Sequence, residues 1–193
     1  MDRRIAVFCA SSTKSKAVYL SDAFRLGETI ASQSDILVYG GGRHGLMGAV
    51  SDGALSAGGR VTGIIPEFMM DLEWGRDDIS SLELTGDMES RKLKMIEGSS
   101  AIVVLPGGSG TMEELYQVLT MKRLGHYTNP VVIVNVNRFY DKWLEFMEHT
   151  VTEDFLGRDH LKMYTVVESS ERIYDAIDNS HAWSEDDINK ALV

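Results

Sequence analysis

The sequence predicts an α/β fold, a single doubly wound Rossmann-like domain with a mainly parallel sheet. Near-continuous apolar runs alternate with amphipathic stretches along the chain, and two of the runs end in glycine-rich loops that open a helix. Strands that are apolar on both faces belong in a parallel sheet covered by helices on both sides.

The elements follow in order. IAVFC (5–9) reads as a strand and 16–33 as an amphipathic helix. ILVYG (36–40) is a second strand, leading through GGRHG into a helix over 45–57. VTGII (61–65) is a third strand, and 66–78 lacks a clean period and reads as a loop or lid. DMESRKLKMIEG (87–98) is helical. SSAIVVLP (99–106) is a buried strand closed by PGGSG, with a helix over 111–124 behind it. PVVIVNV (130–136) is another strand, followed by a helix over 138–150. MYTVVE and a helix over 169–178 complete the order, and the tail from about 180 is weakly helical. In such sheets ligands sit beyond the carboxyl ends of the strands, where strand order reverses. Loops that directly follow strands are therefore the candidates for function.

The 193 residues suit one compact domain, spanning 1–193. Hydrophobic residues at 44% against 25% charged give the balance of a folded protein, not a disordered one. No apolar run reaches the roughly 18 residues that cross a bilayer. The start MDRRIAVFCASS has basic residues before an apolar run, yet that run is too short for a signal peptide and continues into SSTKSK. A cytoplasmic protein is expected. The formal charge of −10 disfavours nucleic-acid polymers and anionic membranes as partners. A small anion held by local backbone N–H groups remains open. Cys9 is the single cysteine, so neither an internal disulfide nor a cysteine metal cluster can form, and the five histidines are scattered. No metal is expected.

YGGGRHGLMG (39–48) follows a strand and opens a helix, where glycines permit close backbone approach and the helix start offers N–H groups to an anion. A plain tight turn explains it equally well. Gly40, Gly42 and Gly45 fit G-x-G-x-x-G, but the acidic residue due at the end of the next strand is missing, which argues against NAD. PGGSGTMEE (106–114) is the stronger loop. Gly107, Gly108 and Gly110 free the backbone, Ser109 and Thr111 add hydroxyls, and a helix start follows. It lacks the Walker lysine, which disfavours a phosphotransferase. Two such loops at strand ends point to phosphate.

Glu114 has two readings. Thr111-x-x-Glu114 matches a capping box, with Thr111 as N-cap, and this reading has the stronger claim from spacing alone. Catalysis is the other. In 87–98 the apolar stripe of Met88, Met95 and Ile96 includes Lys92 and has Arg91 at its edge. Buried cations need a partner or an anionic ligand, so both are expected to point into a pocket unless Lys92 snorkels. In CASS (9–12), Ser11 and Ser12 can donate hydrogen bonds to a ligand, while Cys9 reads as a small buried hydrophobe.

These motifs together resemble the Lonely Guy (LOG) family. SRK (90–92) followed by PGGSGTMEE is similar to that family's R-K and P-G-G-x-G-T-x-x-E pair. YGGGRHGLMG resembles its first glycine loop, CASS stands where the family usually has C-G-S, and VVIVNVNRFYDKWLEFM is similar to the segment behind the motif helix. The resemblance runs from about residue 3 to 178. It implies removal of the base from AMP or from N6-substituted (cytokinin) adenosine 5′-monophosphates, an AMP nucleosidase-like step in cytokinin biosynthesis that yields ribose 5-phosphate. It implies Arg91 and Glu114 as catalytic residues. It implies substrate contacts from Glu73, Lys92, Gly108, Ser109, Gly110, Thr111 and Thr120, to which the reading of the strand-end loops adds Ser11, Ser12, Gly41, Gly42 and Gly107. A homodimer is implied, with the Leu115, Tyr116 and Leu119 side of the motif helix as packing material, although core packing is the simpler account. No cofactor is expected. The older family label of lysine decarboxylase fits poorly, because no lysine has the context of a pyridoxal Schiff base. Ala10 for glycine and Ser109 for the common tyrosine depart from the pattern, which leaves the base preference open. The competing reading is a non-catalytic nucleotide or cofactor carrier on the same fold.

Overall fold

A computed structural model describes residues 2–72 and 74–191. Its seven strands are β1 (Arg4–Phe8), β2 (Ile36–Tyr39), β3 (Arg60–Pro66), β4 (Ser81–Thr85), β5 (Ala101–Val104), β6 (Val131–Val134) and β7 (Thr165–Val167). They form one sheet in the order β4-β3-β2-β1-β5-β6-β7, and every neighbouring pair is parallel. The helices are α1 (Ala17–Ser32), α2 (Gly45–Ser56), α3 (Glu67–Asp71), α4 (Met88–Ile96), α5 (Ser109–Arg123), α6 (Asp141–Thr152) and α7 (Ile173–Asp178).

The strand alternation decides which helix covers which face. Ile5 and Val7 of β1 join Leu26 and Ile30 of α1, Val50 of α2 and Ile173 of α7 in one core. Ala6 and Phe8 point the other way, into a core with Met95 of α4 and Leu115 and Val118 of α5. Two buried layers explain why AIVV and VVIV carry no polar residue. No helix among the described residues is long and apolar enough to cross a membrane.

Three regions depart from the expected elements. Segment 66–78 contains the short helix α3, and after it comes β4, which sequence reading missed. β4 is an edge strand paired on one side only, and Leu84 is half exposed, so its alternation is broken. The helix expected from 138 begins at Asp141. Before it Asn137 and Arg138 adopt φ of 51° and 59°, which interrupts the helical path. The helix expected over 169–178 begins with a 3₁₀ turn at Ser170–Arg172, whose first N–H donates to the buried Asp22 carboxylate of α1. The tail carries a 3₁₀ helix at Glu185–Ala191.

Strand order reverses at β1 and β5, so the loops leaving these strands diverge and open a crevice. Leu105 N–H donates to Phe8 O at 2.9 Å and Ala10 N–H to Pro106 O at 3.3 Å, which hold the two loops side by side before they part. Both motif loops and CASS reach this edge.

Candidate active site

A cavity of about 750 Å³ lies at this edge, walled by the loop after β1, the glycine loop after β2, α4, the start of α5 and the segment after α3. That volume falls within the range of small-molecule sites.

The two glycine loops present different chemistry. At the start of α2 the N–H groups of Leu46 and Met47 already donate to Ala10 O, at 2.9 and 3.2 Å. Those two N–H groups are not available to an anion, so this helix start has less to offer a phosphate than the sequence suggests. The loop instead serves close packing: Gly45 has φ of +59°, and a Cβ there would lie 2.5 Å from the Ser11 carbonyl carbon. α5 is different. It begins one residue after its N-cap Gly108, which has no side-chain cap. The first N–H groups of a helix have no intrahelical acceptor, and here they face the cavity wall formed by Gly108, Ser109, Gly110 and Thr111.

This start also overturns the capping box. Thr111 sits inside the first turn of α5, not at its N-cap, and Glu114 accepts a hydrogen bond from Arg91 Nη1 at 3.0 Å. Arg91 reaches it from α4, whose own start is capped by Asp87 accepting from Ser90 N–H at 2.7 Å. Arg91 Nε donates to Ile64 O at 3.1 Å and Nη2 to Gly40 O at 3.2 Å. A Cβ at residue 40 would lie 1.8 Å from that Nη2, so Gly40 makes room for the guanidinium. Both partners of the ion pair are about 5% exposed. Burial pushes the Glu114 carboxyl up to about 7, and the attraction of Arg91 offsets this only in part. The Cys9 thiol is raised well above its usual range by burial, which removes it as a nucleophile.

Of the residues singled out in the sequence, Ser11, Ser12, Gly42, Arg91, Gly108, Ser109, Gly110, Thr111 and Glu114 come together around this cavity. Gly41 lies behind the wall against Ile65, and Gly107 lies beneath Thr111. Lys92 does not point into the cavity. Its ammonium pairs with Glu89 at 2.8 Å and Glu113 at 2.7 Å on the outer side of α4. Thr120 is exposed, further along α5 and away from the cavity. Glu73 lies outside the described residues. Sequence reading missed Lys14 and His44, which adjoin loops already under suspicion, and the apolar wall of Met47, Met69, Trp74 and Met88. Segment 66–78 has no periodic signal that could have marked Met69 and Trp74.

Glu113 is 63% exposed beside Lys92, so its loss is that of a surface ion pair. Glu113→Gln is expected to keep kcat within about twofold of wild type, as steady-state kinetics would read. Among the described residues, no three His, Cys, Asp or Glu side chains gather into a possible metal group.

A doubly wound sheet whose reversal point holds an open helix N-terminus and a buried Arg–Glu pair defines a class of site with the chemistry to hold a small anion beside an ionisable carboxyl. The comparisons narrow this. A family model described as "Possible lysine decarboxylase" matches residues 47–177. Cytokinin riboside 5′-monophosphate phosphoribohydrolase LOG3 of Arabidopsis thaliana is 42% identical over 155 residues, 80% of this chain and 72% of its own length. LOG1 of the same plant is 40% identical, covering 80% and 73%. The chain belongs to this LOG family of phosphoribohydrolases. A solved structure of the molybdenum cofactor binding protein from Rippkaea orientalis superposes with a TM-score of 0.70 over 92% of this chain and 96% of its own. At 22% identity that likeness shows the shared fold.

Proposed function

We propose that the protein hydrolyses the N-glycosidic bond of AMP or an N6-substituted adenosine 5′-monophosphate, giving free base and ribose 5-phosphate. The observation that carries this reading is the buried Arg91–Glu114 pair in the same cavity as the open start of α5. The 5′-phosphate sits on the N–H groups and hydroxyls at Ser109–Thr111, where the positive helix end favours it. Glu114 then lies one helical turn beyond the phosphate seat, within reach of the ribose. As the bond to C1′ breaks, the sugar gains positive charge and the base takes the bonding electrons. A carboxylate at Glu114 stabilises the first and orients the attacking water, whose hydroxyl goes to C1′ and whose proton goes to the base. Arg91 holds Glu114 in place and keeps enough of it ionised near neutrality.

A non-catalytic carrier needs phosphate binding but no buried, strained-pKa carboxyl beside the sugar, and only the common fold speaks for it. Incubation with a panel of nucleoside monophosphates, with chromatography of the products, decides between them. Base release from AMP or an N6-substituted AMP without added metal is expected; binding without release over hours would leave the carrier. Because the phosphate seat supplies several charge-assisted hydrogen bonds, adenosine is expected to show kcat/KM about 10³-fold below AMP. Equal values would sink the phosphate assignment.

The reading includes a homodimer. Leu115 and Leu119 are buried in the chain's own core, and Tyr116 accepts a hydrogen bond from Trp143 Nε1 at 3.0 Å while staying partly exposed, so the motif helix lends such an interface little. The expectation rests on family membership. Sedimentation at micromolar concentration is expected to give twice the chain mass, and a fully active monomer would refute it.

A further inference from the structure

Resting on that reading, we propose that Trp74 is the residue that recognises the base, and that Arg76 is the positioning residue that holds it at the cavity. Three residues after α3 are laid antiparallel along the glycine loop. Arg43 N–H donates to Trp74 O at 3.1 Å, Arg76 N–H donates to Gly41 O at 2.9 Å, and Gly42 and Gly75 form the bridge between them. Arg43 Nε adds a hydrogen bond to Gly75 O. A short surface segment is thereby fixed to the strand end that frames the site.

The lock on this segment is Arg76. Its side chain is 13% exposed and spans three partners. Nη1 donates to Ser51 Oγ at 3.0 Å and to Asp52 Oδ1 on α2, while Nε and Nη2 grip the Asp78 carboxylate at 2.7 and 3.0 Å. Ser51 is itself buried and bonded to the Met47 and Gly48 carbonyls of α2. A forked guanidinium on a carboxylate fixes direction as well as distance. Arg76 does not line the cavity; Trp74 does.

Trp74 is nonetheless 52% exposed, among the large apolar side chains that the chain leaves uncovered. An indole anchored by its backbone, with a free surface on a cavity wall, suits a planar heteroaromatic ring. The polar seat at the start of α5 takes the phosphate end of the ligand and has no flat apolar partner for a base. Met47, Met69 and Met88 line the same cavity, and their flexible thioethers can adapt to what lies against them. Trp74 is thus a specificity-determining contact, separate from the Arg91–Glu114 chemistry.

The test reads the base and phosphate ends of the ligand separately. Calorimetry gives AMP and ribose 5-phosphate affinities, and tryptophan fluorescence is followed in wild type, Trp74→Phe, Trp74→Ala, Arg76→Lys and Arg76→Ala. AMP is expected to quench wild-type fluorescence while ribose 5-phosphate does not, and Trp74→Phe should lose that response. Removing a stacking partner should raise KM for AMP roughly 10- to 100-fold in Trp74→Ala, with ribose 5-phosphate affinity unchanged and Phe restoring much of the loss. Arg76→Ala should raise KM similarly without adding to the effect of Trp74→Ala, and Arg76→Lys should recover less than half of it. AMP binding by calorimetry without quenching, or an equal loss of ribose 5-phosphate affinity in Trp74→Ala, would overturn the assignment. Quenching by AMP in a protein that releases no base would leave Trp74 in its role and remove the hydrolase reading instead. No AMP binding at all would remove both.

Discussion

Replacing Glu114 by glutamine is expected to lower kcat about 10²-fold or more while the fold survives, because only the charge on the carboxylate stabilises the developing ribose cation. The pH dependence makes the expectation sharper. In wild type the Glu114 carboxyl is raised to about 7, so the acid limb of kcat/KM should fall near neutrality as it takes up its proton. The substrate's own phosphate ionises near ~6 and gives a limb that persists in the variant, so only the limb near 7 should vanish with Glu114→Gln. The stability sign is opposite. A carboxyl raised above its ordinary 4.5 binds its proton more tightly folded than unfolded. Its favourable contribution is complete below 4.5 and is lost as pH rises through about 7. Glutamine copies the protonated form. The Tm of Glu114→Gln relative to wild type should therefore climb between about pH 5 and pH 8. Near-normal kcat in this variant would return Glu114 to a structural role and with it most of the mechanism.

Arg91→Met is expected to cost both stability and activity. The substitution leaves the Ile64 and Gly40 carbonyls without their donor and Glu114 buried without its counter-ion. Breaking a buried pair in this way typically costs about 3–5 kcal/mol. For a chain of this size the Tm should fall by roughly 10 °C, measurable by calorimetry. The attraction of Arg91 lowers the Glu114 pKa, so its loss should raise that pKa further and move the acid limb of kcat/KM to higher pH. Activity at pH 7 should drop by about 10²-fold or more and recover in part at alkaline pH, provided the protein is still folded. Arg91→Lys, which keeps the charge but not the fork, should fall between the two. An acid limb unmoved from 7 would show that Arg91 does not govern Glu114.

What was legible in the sequence is what short-range pattern encodes. Apolar runs such as AIVV and VVIV are buried on both faces and announce a parallel sheet, and PGGSG directly after one of them announces an open helix start. β4 was not legible, because an edge strand buries only part of one face and its alternation fades into its surroundings. Segment 66–78 carried no period, so the Trp74 wall and the Arg76 clamp stayed hidden until Gly42 and Gly75 were seen paired.

The amino-acid sequence by itself determined the layered α/β architecture, the sheet edge at which the motif loops gather, and the residue types found there. Only the tertiary structure decided their duties. Sequence spacing could not tell a Glu114 that caps its own helix from one that meets Arg91, since both place it three residues after Thr111. Nor could it separate Arg91 from Lys92, adjacent cations that are both buried, one turned to the cavity and one to Glu89 and Glu113. It could not foresee that Ala10 O takes up two N–H groups at the start of α2 while no side chain caps the start of α5. Each of these depends on a partner brought from a distant part of the chain. Local propensity carries no record of such partners, and the energy of a buried charge is set almost wholly by them.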